Sequence, residues 1–578
     1  MPERVPLLRP VKILPAASAP EHSEGYALNI TPRGVEIAFR SAAGRRAALA
    51  TLRQVIRQHG RRLPCLRIRD WPDFARRGVM LDVSRGRVPR LATLLDLAER
   101  LADFKINELQ LYTEHTFAYR RYKPVWQSWG ALTANEIRTL AARCRELGID
   151  LVPNQNSFGH LREFLAHPPL ANLAEVPAPY ASAAGDFLRY PSTLAPNHPG
   201  TLPFLRGLYD ELLPNFSSRF FNVGCDETWD LGRGQSKKLC ARRSQGRVYL
   251  DFLKKIHREV ACRKRTMMFW GDIILKYPQL IRELPHDAVA LNWGYEADHP
   301  FNAEAARFAK AKIPFYVCPG TSTWQTLTGK HDNAFANLRA AARAGKKHGA
   351  RGYLITDWGD GGHPQPLAVS WPLFAAGAAL AWNAKGFNEA QLPAVLSRDI
   401  FDDASGKVAA AALRLGRAHR KLGVTAPNET PLGTVVAAYP AARRELFCRN
   451  GPKWFSKIPA PKIRVALREI DRQIEMIRSA KADRQVGSAN GKKVLTRELE
   501  LAARMAAESC HFMLWQQAVV AGQGVKARRL ALAGIVRLKK IEREFERYWP
   551  ARNKGSTRKC ASFLHWRIAD YRRGQTLG

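Results

Sequence analysis

The sequence predicts an α/β fold: a closed (β/α)₈ barrel with a small N-terminal α+β domain before it and a C-terminal helical domain after it. Three observations predict it. Eight short, near-continuous apolar runs alternate with helical patterns between residues 75 and 395, as in a parallel sheet covered on both faces. Residues 26–74 hold a shorter strand–helix alternation, and after 396 the strand patterns stop while helical periodicity continues. No G-x-G-x-x-G or phosphate-cradling glycine loop follows any strand, which removes the common reason for an open doubly wound sheet.

Residues 1–25 read as an unstructured lead-in, with basic residues but no continuous apolar segment of the signal-peptide kind. From 26 to 74, YALNIT, GVEIAF and PCLRIRD read as strands and RRAALATLRQVIRQHG as a helix, with breaks at Gly34 and Gly60. So short a unit should lean on its neighbour for a core. The barrel strands of 75–395 are RGVMLDVS (77–84), ELQLYTE (108–114), IDLVPNQNS (149–157), FFNVGCDE (220–227), TMMFWGDII (266–274), AVALNWGY (288–295), IPFYVCPGT (313–321) and RGYLITDWGD (351–360). Helical patterns such as LATLLDLAERLADF and VYLDFLKKIHREVA separate them, and LAVSWPLFAAGAALAWN closes the series. Residues 396–578 repeat apolar positions at three- and four-residue intervals, as a basic helical bundle would. Turn residues interrupt that pattern at 428–434, 451–462 and 486–493.

A chain of 578 residues calls for two or three domains, and 46% apolar with 9% aromatic residues is a globular composition. No apolar run reaches the eighteen residues that a membrane span needs. The nine cysteines are odd in number and form no C-x-x-C, so free thiols in a reducing, cytoplasmic setting are expected, with no metal site and no cofactor. The net charge is +40 and the pI near 10.3, which would draw polyanions. The basic residues are dispersed through the chain, however, and a specific nucleic-acid site is not expected.

The chemistry concentrates in FFNVGCDETWD (220–230), a buried strand that ends in two adjacent carboxylates, Asp226 and Glu227. Side-by-side acids at a sheet rim repel each other and are costly unless they have separate work to do. In a (β/α)₈ barrel the site lies at the C-terminal strand ends. This chain places Asp82 with Arg85, Glu114 with His115, Asn154 to His160, Trp270 with Asp272, Trp293, Trp324, and Trp358 with Asp360 at those ends. Tryptophans around carboxylates suit a sugar, whose C–H faces stack on rings while its hydroxyls seek acids and arginine. Neighbours on a strand point to opposite faces, so Asp226 and Glu227 do not form the facing pair of an ordinary retaining glycosidase.

With FNVGCDET, RRGVMLDVSR and WGD at the last strand, residues 25–390 resemble glycoside hydrolase family 20, the β-N-acetylhexosaminidases, and LYTEHTF, SFGHL, PGTSTW and LITDWGDGGH resemble a bacterial branch of it. The resemblance implies exo-acting removal of terminal β-linked N-acetylglucosamine or N-acetylgalactosamine, in which the sugar's 2-acetamido oxygen attacks C1 and forms an oxazolinium. It implies Glu227 as general acid and base, Asp226 on the acetamido N–H, and His160 with Glu114 relaying charge to Glu227. It also implies Arg77 on the 3- and 4-hydroxyls, Trp270, Trp293 and Trp358 as walls, and Asp360 on an outer hydroxyl. The family's acetamido-orienting tyrosine has no clear counterpart: Tyr316 lies deep on its strand, and Trp324 stands where it would be expected. Asn156 and His115 occupy positions where acids are usual. Two other readings stay open, a non-catalytic glycan-binding protein on the same barrel and a basic polyanion-binding protein. The C-terminal bundle could pack on the barrel, pair in a homodimer or hold an anionic partner.

Overall fold

The structure, a computed structural model, describes residues 4–6, 11–181, 188–437, 458–482 and 490–575. Six strands come first: β1 (Arg4–Pro6), β2 (Val11–Ile13), β3 (Tyr26–Thr31), β4 (Gly34–Phe39), β5 (Arg62–Pro64) and β6 (Leu66–Asp70). Four of them form a sheet in the order β2-β4-β3-β6, and β1 pairs antiparallel with β5. Residues 1–25 are therefore not all an unstructured lead-in, because β2 runs parallel to β4 at the sheet edge. Strands of three residues with exposed Val11 and Ile13 carry no alternation from which to recognise them. Helix Ala42–His59 lies against the sheet, its N-terminus capped by the Ser41 hydroxyl, which accepts from the amides of Ala43 and Gly44. The core of this unit gathers Tyr26, Leu28, Ile30 and Ile37 around Trp382, which the barrel supplies. The small unit does lean on its neighbour.

The barrel strands are β7 (Arg76–Asp82), β8 (Glu108–Tyr112), β9 (Asp150–Val152), β10 (Phe220–Asn222), β11 (Thr266–Trp270), β12 (Val289–Trp293), β13 (Phe315–Cys318) and β14 (Gly352–Asp357). They form one parallel sheet ordered β9-β8-β7-β14-β13-β12-β11-β10, and a parallel bridge between Asn154 and Asn222 joins its two ends. The sheet thus curls round on itself, with Met80, Val152, Met268, Leu291 and Leu354 packed inside. Strands β9 and β10 are shorter than their apolar patterns. Pro153 cannot donate to a ladder, and the backbone after Val223 turns left-handed at Gly224 and Cys225 (φ 67° and 71°).

Helices Ala460–Ala482, Asn490–Val520, Gly524–Arg552 and Ser562–Gln575 make up the C-terminal region. They pack on the barrel: buried Glu498 accepts from the Ala368 amide and pairs with Arg552, both at 2.9 Å. Asn553–Lys554 also pairs antiparallel with Val88–Pro89, just beyond β7. The turns predicted within 451–457 and 486–489 lie outside the described residues. Among the described residues no helix is long and apolar enough to cross a membrane.

Arg77 has a different place from the one expected of it. It is the second residue of β7, five residues and about 16 Å before Asp82 at the strand's other end. Its guanidinium binds Glu24 of the small unit through both oxygens at 3.0 and 2.6 Å, donates to the Phe74 and Lys105 carbonyls, and lies over the Trp382 ring. Every polar contact is at the N-terminal end of the barrel, so Arg77 joins the two units and cannot touch a ligand at the C-terminal rim. Arg77→Ala should leave a largely buried carboxylate unpaired and cost about 3 kcal/mol in denaturant unfolding. A loss below about 1 kcal/mol would contradict the structural role.

Candidate active site

At the C-terminal rim the chain past β10 is bent by residues with positive φ: Gly224, Cys225 (71°) and Glu227 (45°). Non-glycine residues held there are strained, and such strain persists where the surroundings over-determine it. A Cβ on Gly224 would meet the Asn156 amide oxygen at 1.8 Å, and one on Gly159 the Asp226 carbonyl at 2.4 Å, so both glycines permit the loops to interlock. The result differs from the strand-parity expectation. The strand ends at Asn222, and the bend brings both acids to one imidazole: His160 Nε2 lies 3.3 Å from Asp226 Oδ2 and 3.4 Å from Glu227 Oε2. His160, itself at φ 57°, turns Nδ1 toward Glu114 Oε1 at 3.6 Å.

Burial alone would pull the His160 imidazole down, but Asp226, Glu227 and Glu114 around it hold it well above its ordinary value. Burial raises Glu114 against the pull of Arg85 and His160. A third acid lies beside the pair. Asp272 accepts the Glu227 backbone amide at 3.3 Å, and its burial next to Asp226 and Glu227 pushes its carboxyl up to about 7.

Arg85 sits where Arg77 was expected. It pairs with Asp82 at 2.7 Å, Glu114 at 3.1 Å and Asp360 at 3.5 Å, and lies over the Tyr112 and Trp358 rings. Trp270, Trp324 and Trp358 join one buried cluster, with Trp293 and Tyr295 packed against it. Trp358 Nε1 donates to the Tyr295 hydroxyl at 2.6 Å, and Trp293 stacks on Tyr295 at 5.1 Å. Tyr316 is indeed too deep, since its hydroxyl donates to Glu108 at the start of β8. Asp226 Oδ1 and the indole N–H groups of Trp270, Trp293 and Trp324 are buried without a protein partner, which leaves one acceptor and three donors unsatisfied by the protein. His160, Asp226 and Glu227 bring three ligand atoms within 4.8 Å of one another, so a divalent cation could be held there too.

Of the residues singled out in the sequence, Glu227, Asp226, His160, Glu114, Trp270, Trp293, Trp324, Trp358 and Asp360 lie in this network, and Arg77 does not. The sequence places Arg85 and Asp272 at the rim without a role for either, and Tyr295 is not among the residues singled out there. Arg85 follows Asp82 by three residues at the correct strand end, and Tyr295 shares the parity of Trp293.

The model for the glycosyl hydrolase family 20 catalytic domain matches residues 74–337, and the model for domain 2 of that family matches residues 4–71. The chain belongs to glycosyl hydrolase family 20. Hexosaminidase D of Bos taurus is 23% identical over 268 residues, 43% of this chain and 72% of that protein. A beta-hexosaminidase of Akkermansia muciniphila is 26% identical over 279 residues, 43% of this chain but only 56% of its own length. A Streptomyces plicatus beta-hexosaminidase variant, solved in complex with its product GlcNAc, superimposes with a TM-score of 0.51 at 21% identity, over 70% of this chain and 82% of that one. The last likeness speaks for the fold. Both family matches end before β14, so Trp358, Asp360 and the C-terminal bundle lie beyond them.

Asp272 gives this family 20 site a pH signature. Its carboxyl stays protonated in the folded protein up to about 7, whereas the unfolded chain releases that proton near 3.8. The folded state therefore binds more protons between those values, and the stability contributed at low pH is lost as pH rises through 7. The Tm of the wild type should fall relative to that of Asp272→Asn between pH 4 and 7. Parallel curves would contradict the assignment.

Proposed function

We propose that the chain is an exo-acting β-N-acetylhexosaminidase that removes terminal β-linked N-acetylglucosamine or N-acetylgalactosamine by substrate-assisted, retaining catalysis. One observation carries this reading: two adjacent acids, Asp226 and Glu227, meet the same His160 nitrogen at 3.3 and 3.4 Å. Two acids that come off one bend and converge on one nitrogen lie side by side, whereas the nucleophile and acid of an ordinary retaining enzyme face each other across the glycosidic bond. The nucleophile then has to come from the substrate.

In this reading the acetamido oxygen attacks C1 while Glu227 gives its proton to the departing glycosidic oxygen. The C1–O bond breaks and an oxazolinium forms. Glu227, now a carboxylate, takes a proton from the water that attacks C1, and the second inversion restores the β-anomer. Asp226 accepts the acetamido N–H and balances the positive charge of the ring. Tyr295 supports the amide from the other side: its oxygen already accepts from Trp358, and burial keeps its own O–H protonated to donate to the acetamido oxygen. His160, held by Glu114, keeps the two acids in register. Arg85 and Asp360 offer a donor and an acceptor for ring hydroxyls away from the bond, while Trp270, Trp293, Trp324 and Trp358 wall the sugar. The eight described cysteines are free thiols.

A purely glycan-binding or polyanion-binding role would leave the strained Asp226–Glu227 bend, with Asp226 buried, without a reason. Glu227→Gln should lower kcat on nitrophenyl β-N-acetylglucosaminide and β-N-acetylgalactosaminide by roughly 10²–10⁴-fold. Wild-type turnover in the variant would overturn the role.

A further inference from the structure

The catalytic network does not use the wall outside Glu227. Trp229, 39% exposed, follows the acid by two residues; its amide donates to the Glu227 carbonyl at 2.7 Å, and its ring meets His160 edge-on at 5.6 Å. A general acid delivers its proton to the oxygen that departs, so side chains outward of Glu227 face the leaving group and not the bound N-acetyl sugar. Three guanidiniums lie over three aromatic rings on this wall: Arg189 over Trp229 at 4.1 Å, Arg162 over Tyr190 at 4.3 Å, and Arg233 over Tyr180 at 5.0 Å. Tyr190 is 46% exposed, and the side chains of Arg162 and Arg233 are exposed.

The wall is fixed in place by Asp230. Its buried carboxylate accepts the Tyr180 hydroxyl at 2.7 Å and the amides of Ser192 and Thr193 at 2.8 and 2.9 Å, which ties the strand pair Tyr180–Ala181 and Leu188–Arg189 to the catalytic loop. Arg233 Nε donates to the Trp229 carbonyl, joining the third arginine to the same loop. The Asp230 carboxylate is thus spent on internal hydrogen bonds. Glu163, the sequence neighbour of Arg162, accepts the Trp129 indole N–H. An arginine set over a ring is pre-organised, and its N–H fork matches a planar carboxylate in two-point fashion. Exposed indole and phenol faces beside it suit the C–H face of a sugar.

We propose that the leaving-group side of the site selects a hexuronate, so that the preferred substrates carry a terminal β-N-acetylhexosamine on a uronic acid. The inference rests on the hexosaminidase reading and adds the class of aglycone. It is tested with two disaccharides that differ only at C6 of the leaving sugar, β-N-acetylglucosaminyl-glucuronic acid and β-N-acetylglucosaminyl-glucose, alongside nitrophenyl β-N-acetylglucosaminide. The kcat/KM ratio of acidic to neutral disaccharide should be about tenfold at low salt, the worth of one charge-assisted hydrogen bond, and should shrink at about 0.3 M salt. Arg162→Gln and Arg233→Gln, made separately on exposed positions, should each lower the ratio, which general attraction by a +40 chain would not do. A wild-type ratio near one, or a ratio unmoved in both variants, overturns the aglycone assignment. If the nitrophenyl glycoside is still hydrolysed in that case, the hexosaminidase reading stands. If none of the three substrates is cleaved, both fall together.

Discussion

The site depends on one imidazole held among three carboxylates. His160 meets Asp226 and Glu227 with one nitrogen and faces Glu114 with the other, and their charges overcome the burial that would otherwise strip its proton. A positive group at that point lets two adjacent acids occupy a desolvated rim. Without it, Asp226, Glu227 and Asp272 would stand together with no cation among them, and their repulsion would splay the loop. Catalysis needs the reverse: one acid that gives up a proton to the leaving oxygen while its neighbour stays charged beside the amide.

The scaffold supplies this arrangement through backbone geometry as much as through side chains. Left-handed residues at Cys225, Glu227 and His160 turn two separate strand ends toward each other, and Gly159 and Gly224 let them approach closely. The far side of the pocket is braced by the C-terminal region. Asn553–Lys554 pairs with Val88–Pro89, and Cys560 packs against Gly86 and donates to the Gly362 carbonyl, so the loops carrying Arg85 and Asp360 share one support. The basic bundle is thus part of the barrel's architecture at the rim, whatever else its charge attracts.

Much of this was legible in the sequence. Eight apolar runs alternating with helices fixed the barrel, and acids and tryptophans at strand ends drew most of the pocket, because a strand's apolar pattern also tells where it stops. Three things were not legible. β1 and β2 are only three residues each, too short to show alternation. Arg77 and Arg85 lie at opposite ends of the same strand; the rim rule favours Arg85, the motif resemblance puts the hydroxyl-binding role on Arg77, and the tertiary partners, Glu24 against Asp82, Glu114 and Asp360, decide between them. Tyr295 was hidden because its role follows from its hydrogen bond to Trp358, a residue 63 positions away.

The central claim is that the nucleophile belongs to the substrate and that Asp226 and Glu227 divide the remaining work. It is tested most directly by kcat/KM on a series of nitrophenyl glycosides whose N-acetyl group carries zero, one, two or three fluorines. Fluorine drains the amide oxygen of nucleophilicity and alters the sugar little elsewhere. A steep, progressive fall across the series is predicted; a flat series would place the nucleophile on the protein or on water and contradict the account.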